Sequence, residues 1–359
     1  NTTKDLLMKT TIASSSGYSY QYKNMGQTSN KGVELQLDAV LVDAKDFGLN
    51  FNFNISYNRG KIDKLNGSSF WQSSSWAGTA AAGIEDFLVE EGGRLGEVYG
   101  YKTDGFYTAD DFTFDAEKGT YALKAGVNDC SSLIGGKVYP GSIKLKANED
   151  GEYKKERLGN TVPTVSGGFG LNARWKGFDF TAFFNYSLGN KIVNATKLGS
   201  SFYSGSSKNW NINDHFTSAN RYSWIDPSTG TNLLSSASIK ANGEAWTINR
   251  LNEVNTGSSI WNPAAATVMP LVDWAVEDGS FLRVNNITIG YTLPKLFVSK
   301  LNIQNIRIYV TGYNLHCFTK YSGTDPELDC CTSTPMTPGI DYAAYPKSRS
   351  FVGGINVTF

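Results

Sequence analysis

Residues 47–58 read FGLNFNFNISYN. Phe47, Leu49, Phe51, Phe53, Ile55 and Tyr57 hold every second position, and Gly48, Asn50, Asn52, Asn54, Ser56 and Asn58 hold the positions between them. A strand sends alternate side chains to opposite faces, so this segment predicts a strand with one apolar face and one face of polar side chains and glycine. The pattern recurs at 33–41, where Val33, Leu35, Leu37, Ala39 and Leu41 alternate with Glu34, Gln36, Asp38 and Val40. It recurs at 178–188, 287–293 and at the C-terminal end, where Phe351, Ile355, Val357 and Phe359 share a face. The alternation predicts strands at about 2–12, 30–42, 46–60, 84–91, 95–107, 163–175, 178–190, 281–293, 302–314 and 349–359.

Several of these strands reach the about 9–11 residues that a tilted strand needs to cross a bilayer, against a mean of about 5–6 in globular proteins. A soluble β-sandwich with one wet face would carry many Lys and Glu on its polar positions. Here those positions hold Asn, Ser, Thr and Gly, which suit a wet lumen, so an antiparallel transmembrane β-barrel is the better reading. The connections agree with it. Short ones (42–46, 176–177 and 294–301) alternate with long irregular ones (roughly 60–83, 108–161, 191–280 and 315–348), as in outer-membrane barrels with short periplasmic turns and long outer loops. About ten strands with such long loops are not expected to close on themselves, and open edges are not tolerated in hydrocarbon. The expectation is therefore part of a larger barrel.

Composition changes this picture little. Lysine plus arginine is 33 and aspartate plus glutamate is 33, a formal net charge of zero. That argues against nucleic acid, which demands a basic surplus. Aromatics at 13% and charged residues at 18% exclude ordinary disorder. No run approaches the about 18 apolar residues of a membrane-spanning helix. The chain opens at Asn1 with no basic and apolar leader, which reads as a processed product or a fragment.

Six stretches resemble one family, the SusC-like TonB-dependent outer-membrane transporters. They are NKGVELQL at 30–37, GGRLGEVYGYKTDGFY at 92–107, LGNTVPTVSGG at 158–168, GSFLRVNNITIGYTLP at 279–294, IYVTGYNLHCFTKYSGTDPE at 308–327 and GIDYAAYPKSRSFVGGINVTF at 339–359. They fall in the family's order and cover most of the chain, residues 1–359, as the C-terminal part of the barrel domain. The resemblance implies about the last ten strands of a 22-stranded plugged barrel, with the plug and early strands outside this chain. It implies active import of oligomeric nutrients, glycan or peptide, in the bacterial outer membrane with the C-terminus periplasmic. The partners it implies are the N-terminal plug and barrel portion, a SusD-like surface lipoprotein acting as a lid, TonB through that N-terminal portion, outer-membrane lipid, and an oligosaccharide or oligopeptide substrate. A passive porin or adhesin barrel and a soluble β-sandwich carbohydrate-active protein are the alternatives. Phe359 resembles the C-terminal aromatic read by the barrel-assembly machinery.

Catalytic chemistry finds little support. His215 and His316 lie in no metal or triad spacing, and acidic pairs such as Glu90/Glu91 and Asp110/Asp111 read as loop charges. Where the family carries an acidic calcium-type run, this chain reads LKANEDGEYKKER, with basic residues in place of later acids. Calcium needs several oxygen ligands at set spacing, so no cofactor or metal is expected. Of the four cysteines, Cys130, Cys317, Cys330 and Cys331, a bridge from Cys330 or Cys331 to Cys317 is the preferred pairing if one forms. Seven of the eight tryptophans fall in predicted long loops. Trp71, Trp76, Trp210, Trp246 and Trp261, with Asp214, are the candidate contacts for substrate or lid, since aromatic faces bind sugar rings and anchor peptides.

Overall fold

The computed structural model describes residues 1–359 except 6, 12–13, 19, 25, 66–68, 73–84, 204–210, 299–302 and 331–335. Its main element is one antiparallel sheet. Seven long strands follow in chain order: β1 (Gly26–Asp43), β2 (Phe47–Leu65), β3 (Val165–Trp175), β4 (Phe178–Leu188), β5 (Phe281–Thr292), β6 (Asn305–Thr319) and β7 (Ser350–Thr358). Each pairs with its sequence neighbour, and the two-residue strand Thr2–Thr3 adds to the outer edge of β1. Among the described residues no helix is long and apolar enough to cross a membrane.

The register carries the alternation across the whole sheet. Leu37, Phe53, Phe169 and Phe184 face one another on neighbouring strands, as do Ala39, Phe51, Leu171, Ala182 and Ile287. The row continues through Ile289 to Val310 and through Ile308 to Ile355. The opposite face lines up Asp38, Asn52 and Gly170, then Asn50, Asn172, Thr181, Thr288 and Thr311. A slip of one residue would move each apolar set to the polar face, so the pattern itself fixes the register. Among the described residues nothing covers the outer positions of the apolar side: Val33 is 71% exposed and Ile355 65%.

Short and long connections alternate without exception. Residues 44–46, 176–177 and 293–304 join strands at one rim. Lys176 and Gly177 both have positive φ (46° and 90°), the two-residue turn that matches strand twist. Trp175, Phe47, Phe178 and Tyr291 meet in register at this rim, with Phe178 and Tyr291 ring centroids 4.5 Å apart. They make the aromatic belt typical of a membrane boundary. At the other rim lie the connections 4–25, 66–164, 189–280 and 320–349.

Three predicted strands are corrected. The segment 84–91 gives only Phe87–Val89, and 95–107 splits into Glu97–Gly100 and Thr103–Phe106. Neither joins the main sheet. Phe87–Val89 and Glu97–Gly100 pair in a four-stranded sheet with Phe70–Gln72 and Glu156–Asn160, and Thr103–Phe106 pairs with Ile143–Leu145. Their apolar side chains Phe87, Val98 and Tyr107 are buried in a protein core rather than turned outward. The segment 2–12 divides between Thr2–Thr3 and a hairpin of Leu7–Thr11 with Tyr20–Asn24. β2 therefore pairs directly with β3, and the main sheet has eight strands, counting Thr2–Thr3.

Candidate functional site

The long connections are not separate loops. Residues from 66–164 (Phe87, Tyr107, Ile143), from 189–280 (Val193, Leu198, Leu251, Trp261, Leu271) and from 320–349 (Ile340) share one buried hydrophobic cluster. Backbone pairing knits the three together. Tyr101 bridges Val272, and Val193–Asn194 run parallel to Ile340–Asp341. Helix α1 (Ser236–Val254) starts at Ser235, whose hydroxyl accepts from Ser238 N, and kinks at Gly243. It buries Ile239 and Leu251 in this body, and Glu244 at the kink accepts from Phe114 N at 3.0 Å. Asp226 ties the body further: Arg250 donates to both its oxygens at 2.7 and 2.8 Å, and Ser228 adds a third donor. These bonds hold the Asp226 carboxyl well below the usual carboxylate range.

A buried ion network fixes connection 320–349 to the wall. Arg283 on β5 is 4% exposed and reaches Asp325, itself 4% exposed, at 2.5 Å. Its Nε lies 2.6 Å from Glu327, an ion pair without hydrogen-bond alignment, since that Nε has no aligned acceptor. Glu327 also takes Lys347 at 2.7 Å and Asn185 of β4 at 3.3 Å. Both ends of the connection are thus held by one carboxylate. The charged residues come from the three stretches GSFLR, TDPE and YPKSR. Their shared role was not read in the sequence; an arginine inside an otherwise neutral strand face was the available signal.

Beside this network lies a polar cavity of about 290 Å3, lined by Asn194, Thr196 and Lys197, by Asn213, Asp214 and His215, and by Ser322–Thr324, Asp341, Ala343 and Ala344. Lys197 is engaged by Glu277 at 3.1 Å and the Trp274 carbonyl at 3.0 Å. Burial pushes the Glu277 carboxyl up, but donors from Ser322 and the Lys197 charge outweigh it and the net shift is downward. Asp341 accepts from the Tyr321 hydroxyl at 2.6 Å, and burial raises its carboxyl. Asp214 differs from these acids: its side chain is 96% exposed and lies 3.2 Å from the His215 ring.

The predicted contacts fare unequally. Asp214 lines the cavity. Trp71 is 37% exposed, edge-on to Tyr99 and beneath Lys155, and Trp246 is 43% exposed on α1. Trp261 is a correction: it is 4% exposed, donates to Ser201 O and packs on Trp274 and Phe216, so it offers no face to a ligand. Trp76, Trp210 and Cys331 lie outside the described residues. Phe359 follows β7 at the short-turn rim and is exposed. Cys317 is a free thiol, so the bridge preferred for it is absent here, and Cys130 is a buried free thiol beside the Tyr107 hydroxyl. The acidic pairs are used structurally: Glu91 accepts from Leu65 N, Asp111 caps Thr108 N, and Asp110 accepts from Asn252. In the run 145–157, Asn148 closes a turn on Glu152, which pairs with Lys154. Among the described residues no cluster of His, Cys, Asp or Glu is arranged for a metal.

No protein-family model matches the chain. It is 29% identical over 363 residues to the TonB-dependent receptor P3 of Formosa agariphila, an alignment covering 99% of this chain and 31% of that protein. It is 23% identical over 369 residues to the TonB-dependent receptor SusC of Bacteroides thetaiotaomicron, covering 99% of this chain and 29% of that protein. The chain thus spans about a third of the length of the curated relatives it matches. A solved structure of the RagAB peptide importer in its closed-closed state superposes with a TM-score of 0.62 at 23% identity, over 100% of this chain and 32% of that one. By sequence over its whole length and by its antiparallel barrel fold, the chain is similar to the SusC-like TonB-dependent outer-membrane transporters.

Proposed function

We propose that the chain forms barrel wall and outer chamber in an active importer of oligomeric nutrients, oligosaccharides or oligopeptides, across the bacterial outer membrane. One observation carries this reading. A sheet with an uncovered apolar face and a polar opposite face supports, at one rim only, a single body built from three long connections. Such a wall suits lipid on one side and a wet lumen on the other. The short turns and the C-terminus are then periplasmic, and the body stands outside the cell.

In this reading the body meets a SusD-like lipoprotein lid, and the N-terminal plug portion of the protein couples transport to TonB. Trp71, Trp76, Trp210, Trp246 and Asp214 are the proposed contacts for substrate or lid, and Phe359 the barrel-assembly signal. In this reading the chain carries out transport rather than catalysis, in keeping with relatives named as TonB-dependent receptors. The test is uptake of fluorescent oligosaccharides and oligopeptides by cells carrying the full-length protein. Uptake that stops when TonB is deleted is the expected result. Uptake that persists without TonB would make the barrel a passive pore.

A further inference from the structure

The apolar face of the wall ends in cations at its long-connection rim. Toward that rim, the outward positions of β1 and β2 pass through the pair Val33 and Tyr57 and then reach Lys31 and Arg59, which lie directly opposite each other. Lys61 follows on the same face, opposite Ser29, and all three cations are exposed. Like charges at directly opposed strand positions repel. A fourth cation comes from the body. Gly92 and Gly93 hydrogen-bond to Ile62 at 2.8 and 2.9 Å, which brings the next residue, Arg94, to line one cavity with Lys61. Burial and then the charge of Arg59 pull the Arg94 guanidinium below its ordinary pKa. Among the described residues none of the four makes an ion pair, and none of the undescribed residues is an acid. Asp63, the one acid of β2, accepts from the Ser29 hydroxyl at 2.9 Å, and Glu97 is held by Arg157 at 2.8 Å. Nearer the short-turn rim, the wall arginines Arg174 and Arg307 have Asp43 and Asp179 as partners, so an unpaired arginine is not general in this wall.

We propose that Lys31, Arg59, Lys61 and Arg94 form a binding site for the phosphate head group of a lipid in the outer leaflet. Guanidinium forks and ammonium groups pair with phosphate oxygens, and an anion among them replaces the cross-strand repulsion with attraction. The position favours a lipid over a soluble anion. The same face continues without a break from Lys31 into Val33, Leu35 and Leu37, all exposed, so acyl chains lie along these side chains while the head group meets the cations. The assignment rests on the reading of this face as lipid-exposed and of the long connections as outermost.

The full-length protein in a neutral detergent is titrated, with native mass spectrometry as the readout, with dioleoyl phosphatidic acid, dioleoyl phosphatidylcholine and inorganic phosphate. It is compared with a rim variant carrying Lys31→Gln, Arg59→Gln and Lys61→Gln. A control carries Lys118→Gln, Lys124→Gln and Lys240→Gln, three exposed lysines of the body. Each cation beside an anionic lipid contributes about fivefold in affinity. The expected result is tighter binding of phosphatidic acid than of phosphatidylcholine, weakened about a hundredfold in the rim variant and unchanged in the control. Equal binding of the two lipids, or phosphatidic acid binding that the rim variant does not change, would overturn the site. Inorganic phosphate bound as tightly as phosphatidic acid would make it a site for soluble anions and overturn the lipid assignment. Heat-modifiable migration on gels shows that the rim variant has assembled; if it has not, Lys31→Gln alone, with its loss of about fivefold, is the readout. Each of these failures leaves the import reading standing, since TonB-dependent uptake tests that reading separately.

Discussion

The wall and the outer body are both rich in aromatic and aliphatic side chains, yet they use them in opposite ways. In the wall, Val33, Leu35, Phe178 and Ile355 sit on one face and stay uncovered. In the body, Phe87, Leu198, Leu251 and Leu271 are buried in a shared core. Lipid is as apolar as leucine, so the wall gains little by sequestering such residues; it is held by the ladder of backbone hydrogen bonds that hydrocarbon makes obligatory. The body stands in water and is held as soluble domains are, by apolar burial and by paired charges such as Asp226 with Arg250. Arg283 joins the two, a wall residue whose charge is satisfied by Asp325 and Glu327 of the body.

The sharpest break of this comparison is at that joint. Arg283→Ala leaves the buried Asp325 carboxylate without its cation, a loss of about 3–5 kcal/mol. The expected outcome is rapid trypsin cleavage within 320–349, while the heat-modifiable migration of the folded barrel on gels persists. Next is Leu251→Ala in α1, a fully buried position. It is expected to cost the body about 2–5 kcal/mol, read as proteolysis of 189–280 with the wall again intact. Leu171→Arg, midway along β3 on the apolar face, is expected to cost about 2–4 kcal/mol and to lower the yield of assembled barrel. Its neighbour Asn172→Arg, on the polar face, is expected to assemble normally.

The smallest expected effect is with pH. Asp226 is held below its ordinary pKa by Arg250 and Ser228. A depressed carboxylate contributes stability that is present above its unfolded pKa of about 3.9 and lost as pH falls through the folded value. The body is expected to become more protease-sensitive below about pH 4, and Asp226→Asn to flatten that acid response while lowering resistance at neutral pH.

The wall was legible because a two-residue period is sustained over 11 residues, as in β3 and β4, and its polar positions hold Asn, Ser, Thr and Gly rather than the charges of a sandwich's wet face. The body was not. Short apolar runs such as Phe87–Val89 imitate strand alternation while packing inside a core formed from distant segments. α1 went unseen because SASIKANGEAWTINRLNEV carries an interior glycine and no continuous apolar stripe. Trp261 was indistinguishable in sequence from the exposed Trp246; only the fold separates a core tryptophan from a surface one. Asp214 was legible as a loop acid flanked by Asn213 and His215, whereas Thr324 gains its place near it only when 189–280 and 320–349 come together.

The central claim is which face of the wall meets lipid. It is tested most directly by nitroxide scanning of the full-length protein in a bilayer, with Cys130, Cys317, Cys330 and Cys331 replaced by serine and labels placed singly on β3 and β4. Labels at Phe169, Leu171 and Phe180 are expected to collide with oxygen dissolved in lipid, and labels at Ser166, Asn172 and Thr181 with a water-soluble nickel chelate. Accessibility that fails to alternate along the strands, or that places water at Phe169 and Leu171, would contradict the barrel-wall account.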